Sequence, residues 1–284
     1  MSEPTVGIII PTHQHSPYFK IQGTYDDYPD ATVVFVMDQD VLLAQKRNLG
    51  VQRCPGMDYY LFLDDDNDME KGSISILVKF MEDHPKAAVA GMLGVYAGAN
   101  RICDSGSFRS MRTGFTHDRY VNKLYCCAGY VPYQVDEVAN VFMVRATMFA
   151  QLNGFDAVSF PIDLDEADFC RRAKDRGYDI YIVPLARTYH HSQTYTRIPD
   201  FRRPLNAYYM GRNRVLYQRR HLPSHAYLLW LIVFCPVFVI VYYVSLLVKR
   251  NHRMIYHFTR GVIDGIHYQL ESPKEYQSFG NTVR

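Results

Sequence analysis

The sequence predicts an α/β fold with a mainly parallel sheet, followed by a C-terminal membrane-associated helical segment. Three observations carry this expectation. Short apolar runs alternate with helix-spaced segments through the first two thirds of the chain, as in a sheet covered on both faces. Ala226–Val248 then runs 23 residues without a charge. The charge is also divided. Residues 1–196 hold 18 Lys and Arg against 25 Asp and Glu, and residues 197–284 hold 13 against 4, so a net +2 conceals an acidic first part and a basic last part. With 284 residues, 48% of them hydrophobic, and only 17 Gly and 14 Pro, the chain can bury a sizeable core and is neither collagen-like nor low-complexity.

The elements follow in order. Val6–Ile10 is a continuous apolar run stopped by Pro11, hence a buried strand, and Thr32–Met37 is a second, stopped by Asp38. Val41–Arg53 has helical spacing up to the break at Cys54–Pro55–Gly56, and Tyr59–Leu63 is a third buried strand running into Asp64. Ser73–His84 reads as a helix closed by Pro85, and Ala87–Leu93 as a strand. Residues 94–135 lack periodicity and read as loops and short strands lining an acceptor cleft. Val138–Val144 is a strand and Ala146–Leu152 a helix stopped by Asn153–Gly154; Leu164–Arg176 is a helix stopped by Gly177, with a last strand at Ile180–Val183.

The uncharged run would make a helix roughly 34 Å long at about 1.5 Å per residue, enough for a hydrocarbon core. Tyr227 and Trp230 stand near one end and Tyr242–Tyr243 near the other, as interfacial aromatics do. Pro236 leaves a kinked or re-entrant hairpin open beside a single crossing, and basic residues on both flanks choose no orientation. The expected division is a catalytic domain over 1–221 and a hydrophobic segment with a basic tail over 222–284. Six cysteines form no CxxC pair, and the first apolar run ends at Pro11, so a reduced, cytosol-facing compartment is expected.

In parallel sheets ligands bind beyond the carboxyl ends of the strands. Those ends carry Pro11–Thr12–His13, Asp38–Gln39–Asp40 and Asp64–Asp65–Asp66. Three adjacent carboxylates repel one another unless a cation joins them, and Mg2+ or Mn2+ would also bridge to diphosphate oxygens. A solvated acidic loop is the bland alternative. A second cluster, Asp163, Asp165, Glu166 and Asp168, opens the helix ending at Gly177. Helix capping accounts for one or two of these; a general base is the functional reading. His190–His191 would supply an imidazole to the same ion.

Taken together these pieces resemble the inverting glycosyltransferases of family 2, which have the GT-A fold, a Rossmann-like nucleotide-diphospho-sugar transferase domain. VGIIIPTHQH resembles the family's first strand and turn, and RNLGVQRCPGMDYYLFLDDD its helix, strand and aspartate (DXD) motif. GFDAVSFPIDLDEADFCRRAKDRGYDIYIVPLARTYHH resembles the acceptor-helix region with its acidic base and metal-contacting His. NAYYMGRNRVLYQRRH, the hydrophobic segment and RGVIDGIHY resemble the tail of membrane-associated, rhamnosyltransferase-like members.

Carried over by position, the resemblance implies that Pro11, Thr12 and Asp38 surround the nucleotide base and ribose. It places Asn48, Asp64 and Asp65 beside the donor, and Asp66 with His190 on the metal. Members often show Glu-Asp at the base motif, whereas this chain has Asp165–Glu166, reversed; position favours Glu166, with Asp165 a competitor. His13 stands where Tyr or another polar residue is common. The implied activity is metal-dependent transfer of a sugar, with inversion, from a nucleotide-sugar donor to a lipid-linked or polysaccharide acceptor at the membrane, the catalytic domain facing the cytoplasm. The seven arginines between Arg197 and Arg220 would hold the domain on anionic lipid or contact an acceptor diphosphate. Two other readings are weaker. A non-catalytic nucleotide-sugar or carbohydrate-binding module needs no base, and a nucleic-acid binder would show aromatic–basic alternation and no acidic domain.

Overall fold

The computed structural model describes residues 3–12, 28–29, 31–191 and 204–268. The expectations for His13, for most of Ser16–Ala31 and for Arg197, Arg202 and Arg203 lie outside them. Two compact units divide the chain: Met1–Arg109, Thr116–Phe155 and Glu166–Thr196 form the first, and Ser110–Phe115, Asp156–Asp165 and Arg197–Arg284 the second.

The first unit contains β1 (Val6–Pro11), β2 (Ala31–Val36), α1 (Leu43–Arg53), β3 (Tyr59–Leu63), β4 (Asn67–Met69), α2 (Ser73–Asp83) and β5 (Ala87–Tyr96). The short strands β6 (Ile102–Asp104), β7 (Ser107–Arg109), β8 (Thr116–Asp118) and β9 (Tyr133–Gln134) follow, then β10 (Val141–Arg145), α3 (Ala146–Gln151), α4 (Asp165–Asp175, whose first residue is grouped with the second unit) and β11 (Asp179–His190). The main sheet has the order β2-β1-β3-β10-β5-β11-β4. β1, β2 and β3 are mutually parallel, as are β5 and β11. β10 lies antiparallel between β3 and β5, so the sheet is mixed where a mainly parallel one was expected. An apolar run such as VFMV buries equally well in either direction, so its residues do not report the reversal.

The reversal matters for the site. It puts the residue preceding β10, Asn140, at the carboxyl edge of its neighbours, where Asp64 N–H donates to the Asn140 carbonyl at 3.3 Å. β11 also outruns the expected Ile180–Val183. Its register shifts between Val183 and Arg187, then pairing with β5 resumes through His190. Pro184 cannot donate to the ladder, so it falls in the bulge, and the strand continues beyond it.

Helix α1 packs on β1 and β2, and α2 on β5 and β11. Strand residues Ile8, Leu61, Ala90 and Met143 meet Leu77 and Met81 of α2 in one apolar core. Elsewhere Phe62, Phe142, Phe149, Phe155 and Phe169 form a linked aromatic cluster, with ring centroids from 4.7 Å (Phe155–Phe169) to 6.3 Å (Phe142–Phe155) apart.

The second unit is built on α5 (Pro204–His221), α6 (Ser224–Leu229), α7 (Cys235–Val248) and α8 (Arg253–His267). α6 and α7 are one continuous 25-residue helix, Ser224–Val248, of mean hydropathy 2.7 and only 17% buried over its most apolar stretch. Pro236 opens no hairpin. Its ring would clash with the carbonyl four residues earlier in a regular α-helix, but the turn Trp230–Phe234 is a π-turn, which relaxes that geometry and lets the helix run on. Trp230, Phe238 and Leu246 face inward, whereas Leu228, Ile232, Ile240, Val244 and Val248 are exposed.

α5 and α8 cross at backbone distance. A Cβ on Gly261 would lie 2.0 Å from the Tyr208 carbonyl oxygen, one on Gly265 2.7 Å from that of Arg212, and one on Gly211 2.4 Å from that of Phe258. The boundary expected at 221 therefore falls inside this unit. The α5 arginines do not form the expected free basic face. Arg212 donates to Ser159 O, Arg214 to Gly114 O, and Arg219 to Ile266 O and Tyr268 O; Arg220 pairs with Asp156. Gly261→Ala is expected to destabilise the chain by about 1–3 kcal/mol, read as a lower unfolding midpoint in detergent; an unchanged midpoint would mean that the helices do not cross this closely.

Candidate active site

The carboxyl edge of β1 and β3 collects the predicted polar residues. Asp64, directly after β3, accepts a hydrogen bond from Arg47 Nη2 at 3.0 Å, and Arg47 Nη1 donates to Glu166 Oε1 at 2.6 Å. The Arg47 side chain is fully buried, whereas those of Asp64 and Glu166 are 25% and 16% exposed. Its guanidinium also lies 5.5 Å from the Phe142 ring centroid and 5.6 Å from that of Phe155, a placement that suits a weakly hydrated planar cation. Loss of water pushes the Asp64 carboxyl up to about 6; Arg47 opposes the rise, and the charges of Glu166 and Asp66 add to it.

Asp65 accepts from Thr12 Oγ1 at 2.6 Å. The Thr12 carbonyl in turn accepts from Lys46 Nζ at 2.8 Å, and Lys46 is buried. Burial lowers the Lys46 pKa, with Asp38 and Asp65 opposing. Asp66 Oδ1 accepts from Asn67 Nδ2 at 2.9 Å, and its Oδ2 lies 3.0 Å from His190 Nε2. The pairing of β4 with β11, with His190 opposite Asn67, brings them together. Burial alone would lower the His190 pKa, but the hydrogen bond and charge of Asp66, helped by Asp64 and Asp104, raise it. His191 forms a separate pair with Asp68 at 2.8 Å.

The other expected positions have these partners. Pro11 ends β1, opposite Val36 of β2. Asp38 pairs with Arg53 at 2.9 Å on an exposed surface, and that hydrogen bond lowers its pKa. Asn48, expected beside the donor, uses both ends of its amide on the Phe155 backbone, at 2.8 and 3.0 Å. Asp165 is fully buried, and its neighbour Glu166 is the carboxylate that reaches the Arg47–Asp64 link.

Arg47 was not among the expected residues. Its signal was a charge at the spacing of Ala44 and Gly50, both on the buried face of α1. Asp104 was also missed. It accepts from Gly106 N at 3.0 Å and from Asn140 Nδ2 at 3.2 Å, and Asn140 is the residue whose carbonyl holds Asp64.

The Asp66–His190 pair fits a divalent ion. A carboxylate oxygen and an imidazole nitrogen converge within 3.0 Å, the spacing of neighbouring donors around a cation with bonds of roughly 2.1 Å. Among the described residues, no group of three or more His, Cys, Asp or Glu is poised for a metal, so the protein side would be this pair, with diphosphate and water completing the shell.

A model of the family described as glycosyl transferase family group 2 matches residues 59–259. The chain belongs to that family. It is thus a glycosyltransferase by family, and solved structures agree on the fold. The crystal structure of GalNAc-T7 with UDP, GalNAc and Mn2+ superposes with a TM-score of 0.51 at 13% identity, covering 66% of this chain and 44% of that one. This chain thus matches less than half of that protein's length. The mannosyltransferase PcManGT from Pyrobaculum calidifontis, in complex with GDP-Man and Mn2+, gives a TM-score of 0.50 at 10% identity, covering 93% of this chain and 88% of that one. No curated protein matches this glycosyltransferase in sequence. At such identities the likeness is one of fold, the GT-A fold.

Two consequences are measurable. Arg47→Met leaves two carboxylates facing a buried apolar group. The expected loss is about 3 kcal/mol, the low end for removing one partner of a buried pair because Asp64 and Glu166 keep some solvent; chemical denaturation measures it, and a loss under about 1 kcal/mol would show that the link does not hold the site. Burial pushes the Asp104 carboxyl from its ordinary 3.8 up to about 6, the Gly106 amide opposing and Asp118 adding repulsion. The folded state then holds this proton more tightly than the unfolded one, so its contribution favours folding below about pH 4 and is lost as pH rises through about 6. Asp104→Asn is expected to flatten the stability curve over that window, and an unchanged slope would contradict the shift.

Proposed function

We propose that this glycosyltransferase is metal-dependent and inverting, and moves a sugar from a nucleotide-diphosphate donor to a lipid-linked or polysaccharide acceptor at the membrane. The observation that carries the reading is the link from Asp64 through Arg47 to Glu166, set beside the Asp66–His190 pair. It joins a candidate donor-side carboxylate to a candidate base through one buried cation. The presence of a nucleotide and Mn2+ in both fold neighbours supports a nucleotide donor and a divalent ion.

In this reading Thr12, Asp64 and Asp65 border the donor, and Asp66 and His190 are the metal ligands. A cation held there would neutralise charge on the departing nucleoside diphosphate. Glu166 takes the proton of the acceptor hydroxyl as that oxygen bonds to the anomeric carbon and the carbon–diphosphate bond breaks, which inverts the configuration. Arg47 fixes one Glu166 oxygen from behind. Asp165, fully buried, is the poorer base. The Ser224–Val248 helix is long and apolar enough to cross a membrane, which supports a membrane-borne acceptor.

Two experiments test this. Asp66→Asn is expected to abolish the Mn2+-dependent rise in melting temperature on adding UDP, GDP or dTDP; a full rise would remove Asp66 from the metal site. Glu166→Gln is expected to cut turnover at least a hundredfold, a general base being worth about 10²–10⁴, with nucleoside-diphosphate binding unchanged. If Asp165→Asn is inactive and Glu166→Gln active, the base is Asp165.

A further inference from the structure

The turn leading into α4 is conformationally improbable on its own. Asp163 and Leu164 are consecutive non-glycine residues with φ of 67° and 63°. In this region an L-residue crowds its Cβ against the following carbonyl, and two in succession persist only where surrounding structure compels them. The compelling group is on α5. Asn213 is fully buried, and its amide nitrogen donates one hydrogen bond to Ile162 O at 2.8 Å and one to Asp163 O at 2.7 Å. Its Oδ1 accepts from Arg212 Nη1 at 2.8 Å, and the same Arg212 nitrogen donates to Ser159 O at 2.8 Å. The Asp163 carbonyl belongs to the peptide plane whose tilt is set by ψ of Asp163 and φ of Leu164. Pinning that oxygen therefore pins the left-handed turn.

We infer that Asn213 is a positioning residue for the reaction: its two amide N–H bonds hold the Asp163–Leu164 turn, and that turn fixes where α4 begins and so where Glu166 stands. The inference rests on the reading of Glu166 as base. Asp165 opens α4 and Glu166 is its second residue, so a change of φ at Leu164 swings the base with only Asp165, itself already helical, between to absorb it. The clamp needs two donors on one short side chain. Asparagine supplies them, and neither aspartate nor alanine does.

The test uses the full chain in detergent. Turnover is read as nucleoside-diphosphate release from whichever of the UDP-, GDP- or dTDP-sugars the wild type consumes. Asn213→Ala is expected to lower kcat at least tenfold. The Mn2+-dependent melting shift with the matching nucleoside diphosphate should stay intact, and amide exchange over 162–168 should quicken. Adding Leu164→Gly, which makes positive φ cost-free, is expected to recover at least threefold of the loss. Leu164→Pro forbids the same turn without touching α5, so it should reproduce the loss even if Asn213→Ala fails to fold. Wild-type turnover in Asn213→Ala or in Leu164→Pro overturns the inference, as does a loss in Asn213→Ala that Leu164→Gly leaves unrelieved. Glu166→Gln, measured alongside, separates the two readings. An active Glu166→Gln with an inactive Asn213→Ala rejects the base and keeps the clamp; the converse rejects the clamp and keeps the base.

Discussion

A single buried guanidinium organises the edge of the sheet that carries the candidate site. Arg47 has no access to water, and an unpaired cation there would cost several kcal/mol. The fold meets this with two carboxylates and two aromatic faces. Each comes from a different element: Asp64 follows β3, Glu166 sits in the first turn of α4, Phe142 lies in β10, and Phe155 follows the turn after α3. None can move far without stranding the cation. The pairing contributes little net stability, because desolvation offsets most of the attraction. What it supplies is register between the residue proposed to border the donor and the residue proposed as base.

The parts of the site legible in the sequence are those where polarity interrupts an apolar strand. Asp64–Asp66 after YYLFL and Thr12 after VGIIIP stand at strand ends, and periodicity alone places them at one edge. Arg47 was not legible because its partner on α4 is distant in sequence. Arg47 and Glu166 are 119 residues apart, and a lone arginine on a helix ordinarily reads as a solvated charge. Pro184 stops an apolar run as decisively as Pro11 does, yet here the strand bulges and continues, because β5 still offers a ladder beyond it. The reversal of β10 is invisible for a related reason, since burial on both faces leaves no alternation to reveal direction. Between Asp165 and Glu166 the choice is one helical step of about 100°, which composition cannot make.

The arginines of α5 show where a compositional reading goes astray. Basic residues before an apolar helix suggest lipid headgroups, but Arg212, Arg214 and Arg219 donate to backbone carbonyls of their own unit. The receiving segments, among them 110–115 and 156–165, lie in no sheet. Their carbonyls have no ladder to join, and a buried carbonyl needs a donor. Long side chains carrying several N–H groups reach into such loops from a rigid helix. On that accounting the arginines of α5 are first an internal supply of donors. Asn213 belongs to the same set, which is why a polar, fully buried face on α5 coexists with the glycine-lined face that meets α8. One helix thus does two jobs on two faces: it closes against α8 by removing side chains, and it holds irregular backbone by extending them.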